Sequence, residues 1–257
     1  MKSPLAPPSR LLLGPGPSPV DPSVLDALSK PVLGHLDPEF ITIMNDTSER
    51  LRTVFRTRNP LTFPVSGTGS AGMETALDNL LEPGDRIVIG VNGVFGGRMA
   101  DAAARAGAEV TTVEADWGDI IDPEELGKAV RSVKPRVVAL VHAETSTGAR
   151  SPVDLVRREI GPGPLLVVDS VTGLGGIPLE VDKWGIDVCF SGTQKCLSVP
   201  PGLAPITFSP RAAQAVAERK TAVQSWYLDV SMLRKYWEEG DGARAYHHTA
   251  PFSMVYG

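Results

Sequence analysis

Short strand-like segments alternate with amphipathic helical segments along most of the 257-residue chain, and this alternation limits the fold more than any other feature. The predicted strands cover residues 62–65, 86–91, 109–113, 136–141, 165–168, 188–190 and 204–208. The predicted helices cover about 38–56, 70–81 and 95–106, with two more beginning after Asp122 and after Pro152. Strands that alternate with helices in this way predict an α/β fold, in which a mostly parallel, seven-stranded-type sheet has helices on both faces.

Aspartate followed by proline marks three expected helix starts. Asp21, Asp37 and Asp122 each precede a proline, which is the order of an N-cap and a first helical residue. Glu125, three residues after Asp122, completes a sequence that resembles a capping box. From about Ser225 the sequence becomes aromatic and irregular, and no regular element is predicted there.

Composition argues against several classes of partner. A net charge of -5 gives no basic surface for nucleic acid or an anionic membrane. The two cysteines, Cys189 and Cys196, suggest neither a disulfide framework nor a zinc site and fit a reduced, cytoplasmic setting. The apolar run at 11–13 is too short for a signal peptide. No metal is expected at His247 and His248 either, because neighbouring side chains of a strand point apart and no third ligand has suitable spacing.

Two polar residues at predicted strand ends carry the strongest chemical signal. Lys195 ends the turn Ser191-Gly192-Thr193-Gln194-Lys195, just past one strand, where a desolvated amine can form a Schiff base with pyridoxal phosphate or a substrate. Asp169 directly follows another strand, where a carboxylate can keep a pyridine nitrogen protonated. The alternative is a solvated loop lysine and a helix N-cap, but their pairing favours chemistry.

Other strand ends add weaker signals. The glycine-rich segment 66–72 leads into a helix and suits a phosphate group, or serves only as a tight turn. It spells G-x-G-x-x-G, but no acidic residue follows the next strand, which argues against a dinucleotide site. Phe95 can stack on a planar cofactor or belong to the core. His142 can bind a ligand, although a satisfied, partly buried histidine is the favoured interpretation.

The ordered motifs together resemble those of the class V (fold type I) pyridoxal-phosphate-dependent aminotransferases, and specifically the alanine–glyoxylate and serine–glyoxylate (serine–pyruvate) group. The matching segments are 12–18, 31–35, 58–62, 66–69, 144–148, 169–171, 191–195, 200–202 and 246–249. The resemblance implies a homodimer with shared active sites that binds pyridoxal 5'-phosphate. It also implies transfer of an amino group from alanine or serine to glyoxylate or pyruvate.

Each matching position acquires a role from this resemblance. Lys195 is expected to form the Schiff base and act as general base, and Asp169 to pair with the pyridine nitrogen. The ring would lie between Phe95, where the family often has tryptophan, and Val171, with Ser146 near its hydroxyl. The implied phosphate ligands are Thr68, Gly69, Ser70 and Gln194, together with Tyr246 and Thr249 of the partner subunit.

The domain organisation expected from the resemblance is an extended N-terminal arm, residues 1–20, followed by a cofactor-binding large domain, residues 21–257. Family members continue into a small C-terminal domain whose arginine binds the substrate carboxylate, and no arginine here matches it. Two other functions stay open. One is another fold type I enzyme, either a lyase or a transaminase that uses pyridoxamine, and the other is a non-catalytic, truncated dimerising fragment.

Overall fold

Seven strands form one mixed sheet in the computed structural model, which describes residues 5, 7–238 and 244–257. The strands are β1 (Thr62–Ser66), β2 (Arg86–Val91), β3 (Glu109–Glu114), β4 (Val137–Val141), β5 (Leu165–Asp169), β6 (Val188–Phe190) and β7 (Leu203–Phe208). Their order in the sheet is β1-β7-β6-β5-β4-β2-β3. β7 runs opposite to the other six strands, so the predicted α/β class with a mostly parallel seven-stranded sheet is confirmed.

Helices connect most of these strands within the described residues. They are α1 (Pro22–Leu28), α2 (Pro38–Phe55), α3 (Gly69–Leu80), α4 (Val94–Arg105), α5 (Pro123–Val133), α6 (Val153–Ile160), α7 (Pro210–Ala217), α8 (Val230–Trp237) and α9 (Phe252–Tyr256). None of those helices has the length and apolar character needed to cross a membrane.

The sheet is covered on both faces, as the alternation of its side chains shows. Val137, Ala139 and Val141 of β4 join one hydrophobic cluster, whereas Val138 and Leu140 join another. Successive residues of a strand point to opposite faces, so a strand that is apolar throughout must be packed on both. The carboxyl ends of β2, β4, β5 and β6 therefore share one edge of the sheet, which is where a ligand site is expected.

The three aspartate N-caps are confirmed, but the capping box is not. Asp21, Asp37 and Asp122 each accept a hydrogen bond from the backbone N–H two residues later. Asp122 therefore bonds to the N–H of Glu124, and the side chain of Glu125 forms an ion pair with Lys128 at 2.6 Å. A nearby ammonium group offers this exposed carboxylate a partner of opposite charge one turn along the helix.

The aromatic segment after Ser225 is more regular than its sequence indicates. Helix α8 lies within it and is capped by Asp229, whose side chain accepts from the N–H of Ser231. Tyr236 and Trp237 are buried, and Trp237 stacks on Phe63 of β1 with ring centroids 6.1 Å apart. Tyr236 and Trp237 are therefore core residues, and Trp237 joins α8 to the sheet.

Candidate active site

Lys195 and Asp169 lie on one cavity, which we call the Asp169 cavity. Its volume is about 280 Å³, and it is lined by Thr68, Gly69, Ser70, Met73, Phe95, Arg98, Asp169, Val171, Gln194 and Lys195. Asp169 ends β5, and Lys195 follows the adjacent strand β6, so parallel pairing of these strands brings the two residues to the same edge of the sheet.

Asp169 is a buried carboxyl group, with 4% of its surface exposed. Burial raises the pKa of Asp169 to about 7, and the charge of Glu144 contributes in the same direction. The hydrogen bond from the N–H of Val171 and the charge of Lys195 both act to lower this pKa. One carboxyl oxygen accepts that N–H at 2.9 Å. Residues 171–176 form turns and not a helix, so the alternative of a helix N-cap is wrong. A cation in the cavity would stabilise the ionised carboxylate.

Lys195 is half-buried, and its amine points to a backbone carbonyl. Nζ donates a hydrogen bond to the carbonyl oxygen of Pro15 at 2.9 Å. Among the described residues, no carboxylate forms an ion pair with this amine. The lysine is therefore anchored within the fold, which argues against a solvated loop lysine.

The start of α3 supplies groups that suit an anion. The Thr68 side chain makes no capping hydrogen bond, which leaves the first backbone N–H groups of the helix available. A Cβ at Gly69 would lie 2.8 Å from a methyl group of Val171, so only glycine leaves this approach open. The Oε1 atom of Gln194 is buried with no hydrogen-bond partner in the part of the chain that the structure describes. Its amide is thus free to turn N–H donors toward a phosphate group.

Glu144 and Ser146 hold the first turn of α4, which carries Phe95. The carboxylate of Glu144 accepts the N–H groups of Phe95 and Gly96 at 3.1 and 3.2 Å. Ser146 accepts the N–H of Val94 at 3.0 Å and donates its hydroxyl proton to Glu144 at 2.7 Å. The hydroxyl proton of Ser146 is thus donated to Glu144 in this structure, and Ser146 is not among the residues lining the Asp169 cavity. Its expected place near the ring hydroxyl stays a prediction.

Arg98 is a site residue that the sequence reasoning missed. It follows Phe95 by three positions on α4, and its guanidinium carbon lies 4.9 Å from the centroid of the Phe95 ring. Within the described residues it has no ion pair, although it lines the same cavity as the start of α3. The i, i+3 spacing from a candidate stacking residue is the signal that could have identified it.

Tyr246 and Thr249 do not line the Asp169 cavity of their own chain. Their hydroxyl groups are hydrogen-bonded to each other at 2.8 Å, and Tyr246 is 47% exposed. Their predicted role in a partner subunit's site stays a prediction.

The histidines differ from expectation in detail. His142 is fully buried; its Nδ1 lies 3.1 Å from the Ser170 hydroxyl, but Nε2 has no partner among the described residues, so it is only half satisfied. Burial lowers the pKa of His142 to about 4, with a further contribution from the charge of Arg150. The rings of His247 and His248 lie 4.9 Å apart and do not point away from each other, because this segment is not a strand. No group of three metal-binding side chains occurs in the described residues.

A lysine and a buried carboxyl group on one cavity, beside donors that suit a phosphate, are typical of proteins that bind pyridoxal phosphate. Residues 10–257 match the profile of the class-V aminotransferases. The chain belongs to the class-V aminotransferase family, whose members depend on pyridoxal phosphate.

Named relatives have similar sequences and structures. The chain is 41% identical to (S)-ureidoglycine–glyoxylate transaminase of Bacillus subtilis, covering 98% of this chain and 64% of that protein. It is 43% identical to alanine–glyoxylate aminotransferase of Rattus norvegicus, covering 100% of this chain and 62% of that protein. The fold matches the crystal structure of an alanine–glyoxylate aminotransferase from Nostoc sp. with a TM-score of 0.93 and a sequence identity of 49%. The match covers 100% of this chain and 67% of that one. The chain thus spans less than two thirds of the length of both curated relatives.

Proposed function

We propose that this chain carries the cofactor site of an aminotransferase that transfers an amino group from alanine or serine to glyoxylate or pyruvate. The observation that carries the proposal is the placement of Lys195 and Asp169 on one cavity at adjacent strand ends. Relatives named for glyoxylate transamination support the choice of acceptor.

The residues of the Asp169 cavity fit pyridoxal phosphate by charge and shape. The start of α3 and the amide of Gln194 would bind the phosphate, and Phe95 and Val171 would contact the two faces of the ring. Asp169 would face the ring nitrogen, because a buried carboxylate and a cation stabilise each other. When bound, the cofactor supplies an electron sink for the bond that breaks at the substrate α-carbon.

The protein's own groups then position the substrate and move its proton. The Lys195 amine would hold the cofactor covalently and, when free, would serve as the general base that accepts the α-proton of the substrate and gives it back. The carboxylate of Asp169 would keep the ring nitrogen protonated. Parallel pairing of β5 and β6 places both groups at the same edge of the sheet.

A homodimer with shared sites is part of the proposal, as is the division into an arm, residues 1–20, and a large domain, residues 21–257. The partner's Tyr246 and the partner's Thr249 would complete the phosphate site. The exposed Tyr246 supports this assembly, since within the described residues its hydroxyl bonds to Thr249 and does not reach the Asp169 cavity of its own chain. The two free cysteines support a cytoplasmic location.

Covalent trapping tests the proposal directly. Purified protein is incubated with pyridoxal phosphate, reduced with borohydride, digested and mapped by mass spectrometry. We expect the label on Lys195, no label at that peptide in Lys195→Ala, and Lys183 unlabelled. A label on Lys183 or Lys220 in place of Lys195 would refute the assignment.

Substrate turnover is tested separately, with alanine and glyoxylate as substrates and pyruvate and glycine as the measured products. The chain is assayed alone and joined to the C-terminal region of a longer relative. We expect Asp169→Asn to lower turnover by several orders of magnitude, with about 1.4 kcal/mol for each factor of ten. A loss below about tenfold would assign Asp169 a structural role. Turnover of pyridoxamine, or elimination products without an oxo-acid product, would identify one of the other enzyme classes.

A further inference from the structure

Residues 15–18, which we call the strap, cross the turn that carries Lys195. Both the backbone and the side chain of Ser18 form hydrogen bonds with this turn. Its N–H donates to the Gln194 carbonyl at 2.9 Å, and its hydroxyl contacts the carbonyls of Gln194, at 3.1 Å, and Lys195. The strap is thus bound to the backbone of the turn by residues far away in sequence.

The strap also provides the hydrogen-bond acceptor for the lysine amine. Pro15 accepts from Nζ at 2.9 Å, and in the described part of the chain it is the one hydrogen-bond partner of that amine. An ammonium group has three donors and no acceptor, so a backbone carbonyl can hold it without neutralising it.

Gly16 shapes the strap around the lysine side chain. Its φ is +116°, and a Cβ there would lie 2.5 Å from Cδ and 3.0 Å from Nζ of Lys195. Both the backbone conformation and the lack of a side chain are therefore required for this contact. At Gly14, by contrast, an added Cβ meets nothing within 4 Å.

Lys195 separates two cavities, and the strap lies on one side of it. A second cavity of about 400 Å³, which we call the Pro15 cavity, is lined by Pro15, Gly16 and Ser18 as well as by Lys195. Lys195 is the residue that this lining shares with the Asp169 cavity. Lys195 therefore lines the Asp169 cavity while its Nζ donates to the Pro15 carbonyl.

We propose that the strap is a positioning element for the free form of Lys195. The Pro15 carbonyl receives the amine whenever it is not bonded to the cofactor, so the amine is held at one place beside the Asp169 cavity. Pro15 and Ser18 are positioning residues, since they act through Lys195. The inference rests on the proposed function, because that function requires the lysine to be released and recaptured in each cycle.

Limited acetylation of the cofactor-free protein with acetic anhydride tests the contact without any turnover. Peptide mapping gives the labelling rate of Lys195 relative to Lys183, an internal reference whose side chain is 77% exposed. We expect Ser18→Ala to raise this ratio about fivefold, the factor that corresponds to one net hydrogen bond. Ser18→Thr, which keeps a hydroxyl, should restore the wild-type ratio. An unchanged ratio in Ser18→Ala would overturn the proposal.

A second pair of variants tests whether the backbone conformation at Gly16 is required for the contact between Pro15 and Lys195. Gly16→Ala should displace the amine from Pro15 and raise the labelling ratio, whereas Gly14→Ala, an identical change two residues away, should not. Circular dichroism verifies folding of both variants. A folded Gly16→Ala with the wild-type ratio would also overturn the proposal. Acetylation needs neither cofactor nor substrate. The proposal for the strap can therefore be refuted while transamination is confirmed, and it can be confirmed while transamination is refuted.

Discussion

At the scale of single residues, burial and charge decide what the Asp169 cavity can bind. Asp169 has lost most of its contact with water, and its pKa is raised to about 7 by that burial. Arg98 lies on the same cavity with its guanidinium over Phe95 and no carboxylate partner in the described residues. A ligand with a cationic ring at one end and a phosphate at the other would satisfy both residues.

The raised pKa of Asp169 predicts a pH dependence of stability in the cofactor-free protein. Between pH values of about 4 and 7 the unfolded chain has released this proton while the folded chain retains it. The contribution of Asp169 to the free energy of unfolding is therefore full below this window and is lost as the pH rises through it. Asp169→Asn, which cannot titrate, should lack this decline.

Urea unfolding of wild type and Asp169→Asn across that pH window measures the effect as a difference between two curves. The difference also removes the contribution of His142, whose pKa is lowered to about 4 and which acts in the opposite direction, reducing stability as the pH falls below 6.5. If the free energies of unfolding of the two proteins change in parallel with pH, the raised pKa does not belong to Asp169.

Arg98 is predicted to bind the phosphate of the cofactor. We expect Arg98→Ala to weaken pyridoxal phosphate binding by about 1.5–3 kcal/mol, the range for hydrogen bonds to charged groups. Binding of pyridoxal, which lacks the phosphate, should be unchanged; spectrophotometric titration measures both. Arg98→Lys keeps the charge but loses the planar group above Phe95, and should give an intermediate result. If Arg98→Ala weakens the binding of pyridoxal phosphate and of pyridoxal equally, Arg98 acts only through the Phe95 ring.

At the scale of elements, the start of α4 depends on a loop that follows a different strand. Glu144 lies just past β4, is 1% exposed, and accepts two N–H groups of the first turn of α4. A carboxylate at a helix N-terminus is stabilised by unpaired N–H groups and by the helix dipole. The contact fixes Phe95 relative to the cavity, because that residue is one of the two donors.

Glu144→Gln should therefore destabilise the protein by about 1–3 kcal/mol, since a buried charged acceptor of several hydrogen bonds is replaced by a neutral amide. Urea unfolding measures this loss. The matched control is Glu125→Gln at the start of α5, whose exposed side chain pairs with Lys128 in the described residues and should contribute much less, because solvent screens an exposed ion pair. Equal losses in the two variants would argue against a special role for Glu144.

At the scale of the whole molecule, several apolar and aromatic side chains remain exposed. They include Leu11, Leu13, Trp226, Tyr227 and Tyr246. Where such groups form one contiguous patch, they are typical of surfaces that are covered in an assembly. This exposure agrees with the proposed homodimer, in which each cavity would be completed by the partner's Tyr246 and the partner's Thr249.

Complementation tests whether sites are shared. Thr249→Ala alone should weaken cofactor binding by about 1–3 kcal/mol, as expected for a lost hydrogen bond to a charged group. In a mixed dimer of Lys195→Ala and Thr249→Ala chains, one site has both defects and the other has neither. We expect that dimer to regain one wild-type cofactor site, counted by borohydride trapping, with light scattering to give the mass. A monomer with full cofactor affinity would refute the shared site.

Local sequence determined a large part of this structure. Helix starts at Asp21, Asp37 and Asp122 could be predicted because a capping side chain bonds to an N–H two or three residues away. Central strands such as β4 and β5 could be predicted because a segment that is apolar on both faces has to be buried on both. Lys195 and Asp169 could be predicted as partners, since parallel strands bring their carboxyl ends to one edge.

Only the tertiary structure decided the rest, because the remaining features depend on contacts between distant parts of the chain. Pro15 and Lys195 are 180 positions apart, and no local pattern indicates that one accepts a hydrogen bond from the other. Glu144 reaches a helix that begins 50 residues earlier, at Val94. The hydroxyl of Ser146 is used within this same contact, which the sequence motif alone does not reveal. Sequence thus set the elements and their chemistry, whereas packing decided which groups remain free to act.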